Sequence, residues 1–172
     1  SNLVGYVPQD DILHQNLTVF ETVYYSARAR RLNINPMTIN HDVQFILEKL
    51  NMNRKSDEQI QHLSGGQRKR VNIAMEIAAC PKLLLLDEPT SGLDSFICEG
   101  LFSLLSLIKH NQDGPVNIIM VIHQPGQELF NQIDHVLFFT PKCYLAYQGK
   151  RVNALTFLKN ISRPYISNQF RY

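Results

Sequence analysis

Pro81-Lys82-Leu83-Leu84-Leu85-Leu86-Asp87-Glu88-Pro89 decides the fold of this chain. An apolar run of strand length, bounded by prolines and tipped by two carboxylates, has the pattern of a central parallel strand covered on both faces. Upstream of it, Leu63-Ser64-Gly65-Gly66-Gln67 leads into a helix, Arg68 to Ala79, that is nearly all apolar and therefore expected to be buried. Ser64, Gly65 and Gly66 fall where that helix begins. Such a start offers unpaired backbone N–H groups and the positive end of the helix dipole, and glycine lets phosphate come close to the backbone.

Outward from this centre the chain alternates. Leu3 to Val7 reads as a strand ended by Pro8, and Thr18 with Glu21 forms a capping box ahead of Val19, Val23 and Ala27. A second apolar stripe runs Val43, Ile46, Leu47, Leu50. These make a helical unit, about residues 14–80, inserted after the first strand. Beyond Glu88 come a helix from Ser95 to about His110, a turn at Asp113-Gly114-Pro115 and a second buried strand, Val116 to Ile122. A short helix near Gln127 to Ile133, strands at His135 to Phe139 and Tyr144 to Tyr147, and a helix from Val152 to Lys159 complete the layer. The alternation predicts an α/β fold with a mainly parallel sheet.

Composition excludes several classes. The 172 residues are 44% hydrophobic and 19% charged, which is ordinary for a globular chain and leaves no room for disorder. A net charge of +2, with basic residues dense only at Arg28, Arg30, Arg31 and at Arg68, Lys69, Arg70, argues against a nucleic-acid surface. Both clusters read first as solvated helix faces. Cys80, Cys98 and Cys143 lie far apart in odd number, fitting a reducing compartment and neither a disulfide framework nor a zinc site. No apolar run approaches the roughly 18 to 20 residues that cross a bilayer.

Two strands end in polar residues, Leu86-Asp87-Glu88 and Ile122-His123-Gln124, and in open α/β sheets ligands bind at the carboxyl ends of the strands. Adjacent strand residues project to different sides, so Asp87 and Glu88 are assigned different work. Hydrolysis of a γ-phosphate needs a metal against the phosphate oxygens and a group that orients or deprotonates the attacking water. Asp87 suits a magnesium shell, through water, and Glu88 suits the attacking water. His123, mirroring Asp87, could donate to a γ-phosphate oxygen; by itself it would read as a buried strand histidine. Gln9 ends the first strand where the helical insertion begins and could reach metal or water. Ser91-Gly92-Leu93-Asp94 is open between a functional loop and a plain cap in which Asp94 or Ser95 serves the next helix. Arg68, Lys69 and Arg70 crowd a helix start whose dipole disfavours each by roughly 0.3 to 1 kcal/mol. A bound anion, or simple solvation, would account for them.

Together these residues resemble the nucleotide-binding domain of ABC transporters, and within it the G subfamily of half-transporters. Tyr6-Val7-Pro8-Gln9-Asp10-Asp11 looks like the Q-loop, Leu63 to Ile77 the signature segment, Leu83 to Glu88 the Walker B strand, Ser91 to Asp94 the D-loop and Ile122-His123-Gln124-Pro125 the H-loop. The resemblance implies a P-loop NTPase-like fold, ATP and Mg2+ as cofactors, and Asp87 and Gln9 toward the metal. It implies Glu88, His123 and Gln9 as the hydrolytic set. It further implies a head-to-tail pair with a second nucleotide-binding domain, so that Ser64, Gly65, Gly66 and Gln67 meet the partner's ATP in trans, with Asp94 in the D-loop. Hydrolysis would drive a transmembrane domain of the same polypeptide, approached through residues 161–172, from the cytosolic face of a membrane. Export of a lipid, sterol or xenobiotic is the implied task, with no nucleic-acid partner.

One departure matters. G-x-x-x-x-G-K-[ST] occurs nowhere; at the single Gly-Lys pair, Gly149-Lys150, Tyr144 stands in the first glycine's place and Arg151 in that of the Ser/Thr. The phosphate loop is therefore expected upstream of Ser1, and this chain alone is expected to bind ATP poorly and not to hydrolyse it. A soluble ABC ATPase acting on nucleic acid or ribosomes, and a regulatory half without hydrolysis of its own, are the alternatives.

Overall fold

A computed structural model describes residues 3–10, 12–111, 114–123 and 125–167. Asp11, Asp113, Gln124 and, of the membrane approach expected at 161–172, residues 168–172 lie outside the described residues. Two compact units result, one running up to His123 and one from residue 124 onward.

The first unit is built on three parallel strands in the order β1 (Val4–Val7), β2 (Leu83–Asp87), β3 (Asn117–Val121). Val7 pairs with Leu86 and Leu86 with Met120, while Asp87 pairs with Val121, so the three carboxyl ends stop at one level. The α/β expectation of a parallel sheet with the leucine run in its middle holds. Between β1 and β2 the chain forms α1 (Val19–Arg30), α2 (Pro36–Lys49) and α3 (Gly65–Ala78); α4 (Ser95–Lys109) links β2 to β3.

Local chemistry sets these boundaries. Thr18 Oγ1 accepts the Glu21 N–H while Glu21 returns its carboxylate to the Thr18 N–H, the reciprocal cap read from the sequence. The first N–H groups of α1 also reach carbonyls of the loop before α3, Val19 to Glu58 and Phe20 to Ser56. Asn35 caps α2 with Pro36 in its first turn, and Asp94 caps α4 through Ile97 N–H. Ile39, Leu47, Met52, Ile60 and Ile73 are fully buried between the helices, each contributing about 1.5–3 kcal/mol by leaving water.

The sheet is covered unevenly. Gly5, Val7, Leu84 and Leu86 face the packed side, whereas Val4, Tyr6, Ile119 and Val121 stand more than half exposed. The expectation of a buried strand at Val116 to Ile122 is thus corrected: β3 alternates, because it lies at the sheet edge and the helices of this unit pack on one face. Phe96, at the start of α4, is also exposed, and Ile97, Leu101, Leu104 and Leu105 carry the contact.

The second unit holds α5 (Gln127–Gln132), β4 (His135–Phe139), β5 (Leu145–Lys150) and α6 (Arg151–Ser167). Here the expectation of one continuous layer fails: β4 and β5 pair antiparallel with each other in a separate sheet. Tyr147 packs between Phe138 and Phe157 with tilted rings, which joins that sheet to α6.

Candidate functional site

The carboxyl ends of β2 and β3 bring two of the sequence-marked residues into contact. Glu88 follows the last residue of β2, and its N–H still donates to Val121 O at 3.0 Å, extending the ladder by one step. There the backbone turns sharply, for Glu88 has φ +47°, a left-handed conformation uncommon for any residue but glycine. The turn closes with Ser91 N–H on Glu88 O, and it throws the Glu88 carboxylate toward the end of β3. His123 Nε2 lies 3.1 Å from Glu88 Oε1. The carboxylate is largely enclosed, 25% exposed, while the imidazole is 79% exposed, so the pair faces an open mouth. A carboxylate with a ring N–H beside it, at strand ends and open to solvent, can orient water and hand a hydrogen bond to an incoming oxyanion.

Asp87, the last residue of β2 and the one before Glu88, is half-buried. Among the described residues no group of three or more His, Cys, Asp or Glu could hold a metal by itself. Asp87 is a single carboxylate at the strand end, the kind of donor that magnesium takes together with water and phosphate oxygens. Gln9, just past β1, is exposed and shares the level of the strand ends.

Ser64 caps α3 with a reciprocal box of its own: Gln67 N–H reaches Ser64 Oγ at 3.4 Å, and Ser64 N–H reaches Gln67 Oε1 at 2.9 Å. The N–H groups of Gly65 and Gly66 have no acceptor among the described residues. A Cβ on Gly65 would touch nothing within 4 Å, whereas one on Gly66 would press to 2.9 Å from Gly92 O. The helix start and the Ser91–Asp94 segment therefore pack against each other within this chain. Among the described residues no hydrogen bond joins Ser64 or Gln67 to Asp87, Glu88 or His123.

Asp94 acts as the cap that the sequence left open, its Oδ1 accepting Ile97 N–H at 3.0 Å. Its charge favours the nearby Arg70 guanidinium, although burial outweighs this and pulls Arg70 below its ordinary value.

The basic clusters are corrected. Arg68 donates to Leu63 O, Arg70 to Gly66 O and to Leu50 O and Asn51 O at the end of α2, and Lys69 is buried with three backbone carbonyls around it. They are not a plain solvated face, because carbonyls of their own segment and, for Lys69 and Arg70, of other segments already accept from them. The other cluster is tied down as well. Arg30 grips Glu76 through both terminal nitrogens at 2.7 Å, Arg31 pairs with Asp42, and Arg28 reaches Ile34 O. Sequence reasoning missed Lys69 as a structural residue. Its signal was the helical spacing Lys69, Ile73, Glu76, which puts it on the inward face of α3.

Comparison with known proteins follows this geometry. A family model described as ABC transporter matches residues 1–91, which include the signature segment and the Asp87-Glu88 turn. The chain belongs to the ABC transporter family. Among its ABC relatives, ABC transporter G family member 28 of Arabidopsis thaliana is 41% identical over 153 residues, 86% of this chain and 14% of that protein. G family member 25 of Oryza sativa subsp. japonica is 35% identical over 167 residues, 92% of this chain and 16% of that protein. The ABC transporter ATP-binding/permease protein Rv1747 of Mycobacterium tuberculosis is 35% identical over 150 residues, 85% and 16% respectively. The chain spans about one seventh to one sixth of the length of these ABC transporters. The G-subfamily resemblance read from the motifs is upheld. No helix among the described residues is long and apolar enough to cross a membrane.

Proposed function

We propose that this segment binds and hydrolyses ATP as part of a membrane transporter, on the cytosolic face of the membrane. The observation that carries the proposal is the Glu88–His123 pair, 3.1 Å apart beyond adjacent parallel strands, with Asp87 preceding Glu88 at the end of β2. Glu88 orients the attacking water and draws its proton. His123 offers its ring N–H to the terminal phosphate, and its exposure leaves it free to respond to whether that phosphate is present. Asp87, with Gln9 beside it, holds the water shell of Mg2+. When bound, Mg2+ supplies neutralisation of phosphate charge.

Ser64, Gly65, Gly66 and Gln67 form a helix start whose Gly65 and Gly66 N–H groups have no acceptor among the described residues, and we assign them to the ATP of a second nucleotide-binding domain in a head-to-tail pair. Asp94 fixes the loop that lies against that start. Hydrolysis is proposed to drive a transmembrane domain of the same polypeptide, moving a lipid, sterol or xenobiotic outward. The 172 residues alone, which contain no phosphate-loop motif, are proposed to bind ATP poorly and turn none over.

The test is Glu88→Gln in the full-length protein. Retained ATP binding with hydrolysis abolished is the expected result; turnover at the unaltered rate would refute the assignment of Glu88.

A further inference from the structure

We infer that Lys69 is a positioning residue that pins the Asp87–Glu88 peptide and the Gln9 segment to the helix of the signature, an inference that rests on the function proposed above. Lys69 lies in the second turn of α3 and is 5% exposed. Its Nζ donates to Pro8 O at 2.8 Å, Gln9 O at 3.2 Å and Asp87 O at 3.3 Å. An ammonium has three donors and no acceptor, and here each donor meets a main-chain carbonyl. No carboxylate among the described residues pairs with it. Burying an ammonium is costly, and a residue needed only to fill this space would be served by methionine of similar length. What lysine adds is directed bonding to two separate strand ends.

The third bond is the telling one. Asp87 C=O belongs to the peptide that joins Asp87 to Glu88, and the N–H of the same peptide donates to Val121 O. The plane is thus held from both sides. Glu88 turns away from that plane with φ +47°, a conformation that persists only where its surroundings enforce it. Holding the plane fixes the direction in which the Glu88 carboxylate meets His123.

A second contact on the same helix face shows that α3 grips β1 along its length. Glu76 Oε2 accepts the Tyr6 N–H at 3.2 Å. Lys69 and Glu76 are two helical turns apart, about 10.5 Å of rise. Tyr6 to Gln9 spans about 10 Å of extended chain, so the two spacings match. Ser64 to Gln67 lie just before Lys69 at the start of the same helix, with only Arg68 between, and a displacement of that helix start is carried by one side chain to both Gln9 and the Glu88 peptide.

The experiment compares Lys69→Met, which keeps the length without donors, with Lys69→Arg, which keeps donors, in the full-length protein. Amide exchange without nucleotide reads the clamp directly. Lys69→Met is expected to speed exchange about tenfold in residues 6–10 and 86–92 while leaving 39–47 of α2 unchanged. In Mg2+-dependent ATP hydrolysis, kcat is expected to fall about ten- to a hundredfold with KM for ATP within about twofold, and Lys69→Arg to recover much of it. Unaltered exchange in 6–10 and 86–92 would overturn the inference. So would loss of protection spread equally to 39–47, which marks a purely structural role. If Lys69→Met does not fold, Lys69→Gln, with two donors, must show the same local pattern in smaller degree, and its absence overturns the inference too. Wild-type hydrolysis that survives Glu88→Gln would sink the function proposed above while the exchange data still decide the clamp.

Discussion

Gly65 and Gly66 are neighbours in sequence, yet the fold requires glycine at only one of them. A Cβ on Gly66 would come to 2.9 Å from Gly92 O, where ordinary contacts begin near 3.4 Å. The obstacle is a main-chain carbonyl in a loop whose own φ is +73°, so it cannot swing aside as a side-chain tip would. Overpacking of this kind costs about 1–3 kcal/mol. Alanine recovers up to about 1 kcal/mol of helix propensity, and less in a first turn. Gly66→Ala should therefore open the contact between the start of α3 and residues 91–94 by about 1 kcal/mol, read as roughly fivefold faster amide exchange there. A Cβ on Gly65 meets no described atom within 4 Å, so Gly65→Ala should leave exchange unchanged or slightly slowed. Under the proposed trans role that same Cβ would intrude where a partner's phosphate approaches the backbone, and hydrolysis by the full-length protein should fall although the fold is intact. Equal destabilisation by the two substitutions would refute the packing argument. Wild-type turnover in Gly65→Ala would refute the trans role.

Glu76→Ala removes the bidentate partner of Arg30 and the acceptor of Tyr6 N–H; with the Arg30 side chain 29% exposed the expected loss is about 2 kcal/mol, read from the denaturation midpoint, with Glu76→Gln losing less. The Glu21 carboxyl is held below its ordinary value, first by the Thr18 N–H and then by the Thr18 hydroxyl. A depressed carboxylate stabilises the fold above its unfolded value and loses that contribution as pH falls through the folded one, so α1 should loosen below about pH 4.5. NMR titration of Glu21 should give a low midpoint that Thr18→Ala moves upward. Burial, and then the Asp94 charge, push the Cys98 thiol up, so its alkylation should be slow at neutral pH and faster in Asp94→Asn, which still caps α4. An unaltered alkylation rate would contradict the placement of Asp94.

Much of the architecture was legible because it depends on neighbours along the chain. The Thr18–Glu21 box and the leucine run between two prolines are local signals that appear where the sequence put them, and the cap left open between Asp94 and Ser95 is Asp94. The S-x-x-Q pattern of Ser64 and Gln67 is a local signal of the same kind, visible but unread. Exposure of β3 was not legible, because Val116 to Ile122 looks the same whether helices cover one face or two. Nor was the separate pairing of β4 with β5, since apolar strands do not name their partners.

The sequence by itself pointed to which residues could do chemistry: Asp87 and Glu88 after an apolar run, His123 after another, Ser64 to Gln67 at a helix start. Tertiary structure alone decided how they are held. It put Glu88 at φ +47° against His123, and it turned Lys69 from one of three crowded cations into a buried tie. The physical reason is distance along the chain: a cap acts across three residues, whereas Lys69 and Pro8 are 61 apart, and what answers a buried charge is known only when the strands meet.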